Sequence, residues 1–502
     1  MNNITFVKGQ GGLGRPLAGN DYISSLLFYT STLPSGFSST NRIKQFFSVA
    51  DAVTAGIKND YSDETQAIGV YTVSAVGATG DSITLNFVEP TKTVTLGTYV
   101  KVSTDTTVTA VGTAIASAIN ALTNSHGYTA TNASGAISIT ARKGLGIFPN
   151  TGTPLTATIV GTIAGSVTTA FTGGVASKLA VWYYHISEYF RVQPKGNLFV
   201  GFYAVPSTYD FSEIVTMQTS ALVNGAIRQI GVYVDGSNFT AAMTTTLQTQ
   251  ALALDVLKMP VSILLGANIL AATDVTSLTD LSIYNNYKVS VVISQDNGGQ
   301  GLALWNATGK SITTLGATLG AVSLASVHED IAWVGKFNLS NGVELESVGF
   351  CNGTSGQSSN ALDAIDLKRY VFLRKFPNVA GSFFNDSHTA VSKSSDYAYI
   401  ENNRTIDKAI RGIDTALLPS LNSPLLLKAD GTLANSTIAF FTSQAAIVTD
   451  DMVRNGEASA IGVLINPAQN VATTSKLIVT VNIVPIGVAR NIQINIGFKT
   501  AI

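Results

Sequence analysis

The chain has 502 residues, and only 12% are Asp, Glu, Lys or Arg, about half the share in an ordinary soluble protein. Thirty basic and 31 acidic residues leave a net charge of −1, which excludes a default nucleic-acid binder because no surplus positive charge exists to neutralise phosphates. The single cysteine, Cys351, excludes an internal disulfide and a thiolate metal cluster.

A mean hydropathy of +0.28 and 45% apolar residues supply a core. Gly, Thr, Ser, Ala and Asn stand where a monomer of this size carries charge. A large assembly that hides much of each subunit needs less charge, and this is the favoured reading. The first residues lack the charged and apolar regions of a signal peptide. The longest apolar stretch, 261–272, is broken by Ser262, Gly266 and Asn268 and is too short to span a bilayer. The expectation is a protein made in a cytoplasm, with no membrane insertion and no direct nucleic-acid contact.

In chain order, residues 1–65 form an N-terminal arm and the start of a core. Asn3, Ile4, Thr5, Phe6 and Val7 alternate as a short strand, and Gly9, Gly11, Gly12 and Gly14 follow as a hinge. A helix is expected over 46–57, with Phe46, Phe47, Val49, Ala50, Val53 and Ile57 on one side. Residues 66–176 are rich in Thr, Ala, Gly and Ser. Alternating runs at 82–88, 93–102 and 136–141, with a helix between Val108 and Leu122, predict a β-rich peripheral domain inserted into a larger one.

Residues 177–400 predict an α/β core. Compact β-branched runs at 198–205, 229–234, 261–265 and 288–293 alternate with helical patterns at 214–222 and 244–257, which argues for a mainly parallel sheet with helices. Residues 401–502 form a C-terminal domain. One helix is expected over 404–418, with Ile406, Ala409, Ile410, Ile413 and Leu417 inward and Asp407, Lys408, Arg411 and Asp414 opposite. A second is expected over 436–454, with Ile438, Phe441, Ala445, Val448 and Met452 inward and Asn455-Gly456 as its cap. Two alternating strands close the chain, one with Leu477, Val479, Val481 and Ile483, the other with Ile492, Ile494, Ile496 and Phe498.

Candidate chemistry is sparse. Gly9-Gln10-Gly11-Gly12-Leu13-Gly14 suggests a phosphate loop, but Arg15-Pro16 follows instead of a helix. Asp235-Gly236-Ser237 suggests the start of a metal-adhesion loop, yet position 239 is Phe; an Asp-Gly turn is the plainer reading. His328-Glu329-Asp330 lacks the i, i+4 spacing of helical zinc sites and precedes an expected strand at 331–334. His185 is expected as a hydrogen-bonded packing residue, His126 and His388 in polar loops, and Cys351 as buried or inert. These residues imply no enzyme, no cofactor and no metal. Asp450, Asp451 and Arg454 crowd the end of the second C-terminal helix, where acids are poorly placed for the dipole. They are either a solvated face or a polar contact surface.

The run Tyr399-Ile400-Glu401-Asn402-Asn403-Arg404-Thr405-Ile406-Asp407-Lys408-Ala409, with Asp430-Gly431-Thr432-Leu433, Gly456-Glu457 and Gly462-Val463-Leu464-Ile465-Asn466-Pro467, resembles the C-terminal half of contractile tail sheath proteins of phages and related bacterial injection machines. The runs at 370–376 and 381–386 extend the resemblance, and the insertion is similar to the outward-facing domain of some phage sheaths. It implies a homo-oligomer of stacked rings, usually six-fold, around an inner tube, with baseplate and terminator proteins at the ends. Contraction would drive the tube through an envelope. The location implied is a virion tail assembled in a host cytoplasm, or a bacterial cytoplasm or released injection particle. Asn3, Ile4, Thr5, Phe6, Val7 and the two closing strands would be inter-subunit linkers by strand addition. Gly9, Gly11, Gly12 and Gly14 would be the hinge, and Asp450, Asp451 and Arg454 the tube contact. A static shell or fibre protein, or an adhesion module using Asp235, are the rival readings.

Overall fold

The centre of the fold is β1 (Ile23–Tyr29), all seven residues of which are buried. A strand covered on both faces shows no alternation, and Ser24-Ser25 interrupts its apolar run, so sequence pattern does not mark it. Ser24 is satisfied there, its Oγ accepting a hydrogen bond from Gln229 Nε2 at 2.8 Å. The computed structural model describes residues 20–354 and 359–498. The strand and hinge expected at Asn3, Ile4, Thr5, Phe6, Val7, Gly9, Gly11, Gly12 and Gly14 lie outside the described residues.

After β1 comes β2 (Ile43–Phe46), then a helix shorter than expected, α1 (Val49–Thr54). Ser48 stops the helix from beginning at 46. Its Oγ accepts from Asp51 N while the Asp51 carboxylate accepts from Ser48 N, a reciprocal cap. Phe47 and Val53 are consequently exposed, and Ala52, Ala55 and Ile57 are buried in their place.

Residues 66–176 contain β3 (Ile68–Ala75), β4 (Ser82–Val88), β5 (Thr93–Val100), α2 (Val108–Ala121), α3 (Thr123–His126), β6 (Thr129–Ala133), β7 (Ala136–Thr140), β8 (Leu155–Val160) and β9 (Ala164–Thr172). Two antiparallel sheets, β6-β7-β3-β9 and β5-β4-β8, enclose a cluster that includes Tyr71, Leu85, Phe87, Ile119, Ile137 and Phe171. Strands β8 and β9 are mostly exposed Thr and Ala, so they carry no alternating signal. Thr65 and Val175, at the two ends, exchange both backbone hydrogen bonds, at 3.1 and 2.9 Å.

The chain then returns to the first body through α4 (Lys178–Val192), β10 (Asn197–Tyr203), α5 (Glu213–Thr219), β11 (Gln229–Tyr233), α6 (Ala241–Val256), β12 (Ser262–Gly266), β13 (Asn285–Asn286), β14 (Val289–Val292) and β15 (Ser294–Asp296). The six-stranded sheet has the order β14-β12-β11-β1-β10-β2, parallel except for β2. The fold is therefore mixed α/β, with a mostly parallel central sheet and several small antiparallel ones. Helices α7 (Gln300–Thr308) and α8 (Leu315–Leu324) follow. Residues 315–323 of α8 are all buried, as expected of a helix apolar on every side. Gly316 and Gly320 let it approach α4 closely: a Cβ on Gly316 would lie 2.1 Å from the His185 carbonyl oxygen, and one on Gly320 2.8 Å from that of Tyr189. Residues 331–334, expected as a strand, form turns after α8. Then come β16 (Val348–Phe350), α9 (Ser359–Leu367), β17 (Leu373–Phe376), β18 (Val379–Phe384) and β19 (Ala390–Val391).

The C-terminal part contains α10 (Ile400–Leu417), α11 (Asn435–Arg454), β20 (Ala460–Leu464), α12 (Val471–Thr474) and β21 (Thr480–Val484). Asn455 caps α11 and Gly456 has φ +72°, matching the expected stop. Phe441, Ala445 and Met452 of α11 are buried, whereas Ile438 and Val448 are only half-buried. The burial of α10 meets the expectation in part. Ala409 is buried and Ile406, Ile413 and Leu417 are half-buried, but Ile410 is exposed, and Asp407, expected on the opposite face, is buried together with Glu401, Asn403, Arg404 and Thr405. The reason is a set of ionic contacts to the body described next.

Candidate assembly site in the C-terminal segment

One face of α10 is a row of charges inserted into the body. Asp407 meets Lys288 Nζ at 2.5 Å, with both side chains nearly sealed from solvent. Lys408 bridges Asp21 at 2.9 Å and Glu457 at 2.5 Å, and Arg411 meets Asp21 at 2.8 Å. Arg404 donates to the carbonyls of Ala325, Ser326 and Asp21. Burial lowers the Arg404 guanidinium to about 10. Partnered charges tolerate burial, so a polar helix face can be an inward face.

The opposite face of α10 is apolar and serves a different neighbour. Gly412 admits the Val448 side chain of α11, whose Cγ1 would lie 2.4 Å from a Cβ at that position. Beside it, Ile406, Ile410 and Ile413 face Val479, Val481 and Ile483 across an open groove of about 530 Å³. The structure thus brings together the expected helix stripe and three residues of the first closing strand. Leu477, the fourth, packs with Val479 on Leu433, Phe441 and Ile465.

β20 and β21 pair antiparallel, Ala460 opposite Val484 and Leu464 opposite Thr480, and form a two-stranded sheet by themselves. The pair lies against α10 and α11, and no further strand joins its outer edges among the described residues. The second expected closing strand has no ladder among the described residues. Ile492, Ile494 and Ile496 are 75%, 74% and 91% exposed, and Phe498 is fully exposed. An apolar alternation in solvent is a liability for a lone chain.

That tail is held at its root. Arg490 Nε lies 3.0 Å from Asp386 Oδ1, its Nη2 3.0 Å from Asp330 Oδ2, and Nη2 also meets Glu401. The guanidinium stacks 3.5 Å from the centre of the Tyr399 ring. Arg490 is a contact that pattern reading of the terminal strands does not single out. A lone Arg between Ile486 and Ile492 was the available signal.

Asp450, Asp451 and Arg454 are exposed at the end of α11. Arg454 reaches back to Asp451 at 2.5 Å, which relieves the unfavourable acid at that terminus. Other singled-out residues lie apart. Asp235 pairs with Lys310 at 2.5 Å beside Gly236, whose φ is +84°, so its carboxylate already has a cation. Glu329 is paired with Lys336 and Asp330 with Arg490. Cys351 is buried and pushed up to about 12 by burial. His126 ends α3 with Nε2 2.9 Å from the Leu96 carbonyl. His388 is buried rather than in an open loop, with Nε2 2.9 Å from Asp366. His185 departs from expectation: neither ring nitrogen has a hydrogen-bond partner, and the ring lies among Phe28, Tyr184 and Tyr233. Burial lowers it to about 3.

Among the described residues no group of three or more His, Cys, Asp or Glu could hold a metal ion, and no helix is long and apolar enough to cross a membrane. No curated protein matches the chain. Its structure is similar to that of the anti-feeding prophage (AFP) helical sheath in the contracted state, at 16% identity and TM-score 0.44, over 63% of this chain and 81% of that one. It is also similar to the PVC sheath complex of an extracellular contractile injection system in the contracted state, at 13% identity and TM-score 0.42, over 64% and 80%. Two family models match in sequence, DUF2586, N-terminal domain, over 72–388 and DUF2586, C-terminal domain, over 396–502. The chain belongs to the DUF2586 family.

Proposed function

We propose that this chain is the structural subunit of a contractile sheath, which polymerises around an inner tube and contracts to drive that tube through a target envelope. The observation that carries the reading is the C-terminal arm: Ile492, Ile494, Ile496 and Phe498 alternate in solvent beyond an anchored root, while the β20–β21 hairpin offers open edges. A second copy's arm is the occupant that suits those edges, because main-chain hydrogen bonds recognise any extended strand and alternate side chains fill the apolar side. Each large apolar side chain so buried contributes about 1.5–3 kcal/mol. That offsets ordering at roughly 1–2 kcal/mol per residue. The N-terminal residues Asn3, Ile4, Thr5, Phe6 and Val7 would act as a second linker, swinging on Gly9, Gly11, Gly12 and Gly14. Stacked rings, baseplate and terminator proteins at the ends, and a place in a phage tail or injection particle belong to the same reading.

Negative-stain microscopy of the purified chain tests it, with helical tubes as the expected result. Deleting residues 491–498 should leave the melting temperature of the subunit unchanged and abolish tubes. A deletion that still gives full tubes overturns the arm reading. The exposed acids at the end of α11 would face the inner tube. Asp450→Lys with Asp451→Lys should weaken co-assembly with tube, more strongly at low salt because exposed charges are screened. Co-sedimentation at two salt concentrations measures this, and unchanged co-sedimentation at both removes the surface from the proposal.

A further inference from the structure

Ile486 is half-buried, and every residue from 487 to 498 is exposed. Within that exposed stretch, at Arg490, three carboxylates from three different places in the fold converge on one guanidinium. Asp330 comes from the turns after α8, Asp386 from the loop after β18, and Glu401 from the first turn of α10. All three acids are nearly sealed from solvent, while Arg490 keeps about a quarter of its side chain exposed. Around it also stand Ser387, which donates to Glu401, His388, whose Nδ1 lies 3.9 Å from Asp386, and His328 and Glu329 of the same pocket. Arg369 stands 4.9 Å from the Tyr399 ring centre.

Three buried acids converge on one cation. Burial and mutual repulsion push the Asp330 carboxyl well above its ordinary range, and Glu401 is also raised. A pocket of this kind strongly favours an occupant with a planar, forked, stackable cation, and guanidinium provides all three properties where ammonium provides a point charge. We propose that Arg490 is the pivot of the terminal arm: its seat among Asp330, Asp386, Glu401 and Tyr399 fixes where and in what direction residues 491–498 leave the subunit. Arg490 is thus a positioning residue for arm donation, and the inference rests on the arm reading above. Because the three acids belong to separate elements, the seat also ties the arm's direction to the orientation of α10 relative to the body.

The test uses the full chain with Arg490→Gln and Arg490→Lys. Two quantities are measured: proteinase K cleavage within 485–498 in the unassembled fraction, and the critical concentration for tube formation by pelleting. Arg490→Gln should speed cleavage there at least tenfold and raise the critical concentration at least tenfold, and it should also lower the melting temperature, because three buried acids lose their cation. Arg490→Lys should fall between Gln and parent in both. Parent-like cleavage, or faster cleavage with an unchanged critical concentration, overturns the pivot. The deletion of 491–498 separates the two proposals: if it blocks tubes while Arg490→Gln assembles normally, only the pivot fails, and if it leaves tubes intact, the arm reading fails. Should Arg490→Gln not fold, the combination with Asp330→Asn and Glu401→Gln removes the uncompensated acids and is read by the same outcomes.

Discussion

His185 shows how much one side chain can commit the fold to a pH range. Its unpartnered ring, deep in the aromatic layer under β1, is held neutral with a value near 3. The unfolded chain takes up a proton below about 6.5 and the folded chain does not. Stability contributed by this residue is therefore present above that value and lost as pH falls toward 3. Each unit is worth up to about 1.4 kcal/mol. Between pH 6.5 and 5 the parent should lose about 2 kcal/mol that His185→Leu does not lose, measured by urea unfolding at both values. Equal losses in the two proteins would show that the imidazole takes up its proton in the folded state. The sequence shows His185 in an apolar run, which suffices to place it inside. The lack of a hydrogen bond depends on α4 meeting β1 and β11, a long-range juxtaposition that no local window contains.

At the scale of elements, the strands found by pattern are those with a clean signal: β4, β5, β7, β10, β11, β12, β14 and β21, with the helices α2, α5, α6, α10 and α11. What the pattern conceals follows from burial on both sides or on neither. β1 is covered on both faces, and β8 and β9 are nearly bare. The helix α10 is legible as a helix, and only the facing of its charges is concealed. Its run from Tyr399 to Lys408 carries the sheath resemblance, yet amphipathicity turns those charges outward. The structure turns them into the body, where Lys288, Asp21, Glu457 and Arg490 meet them. The open edges and exposed tail of the candidate site were legible as alternation, while the seat that holds the tail was not, because its acids lie far apart in sequence. The α4–α8 contact supplies a prediction at this scale. Gly316→Ala places a methyl group against backbone that cannot rotate away. It should cost about 1–3 kcal/mol, and more if α8 shifts, against a helix-propensity gain of at most about 1 kcal/mol. Thermal unfolding would register a net loss; a gain would mean that the two helices separate without penalty.

For the whole molecule, the insertion is joined to the body at neighbouring points. The Thr65–Val175 bridge brings its ends to the spacing of paired strands, and its apolar cluster is its own. It nevertheless touches the body: Ile147 N donates to the Ala307 carbonyl of α7 at 2.8 Å, and Glu64 accepts from the amides of Gly144 and Gly146. We propose that residues 66–176 are a peripheral domain dispensable for assembly. Replacing 66–174 with a short Gly/Ser linker keeps the bridge intact and should yield a folded chain that still forms tubes in negative stain. A folded but non-assembling product would place the insertion in the lattice.

The hairpin β20–β21 has a consequence for the ends of any polymer this chain builds. Under the proposed arm donation, the tail that gives and the edge that receives are different surfaces of one chain, so contact between copies would be heterologous and need not close on itself. Growth by such contacts would have a direction. At one extremity the outermost copies would show vacant β20–β21 edges, and at the other bare Ile492, Ile494, Ile496 and Phe498 tails. The two extremities would be chemically unlike, one a template for strands and the other a fringe of apolar ones, and a single kind of stopper could not fit both.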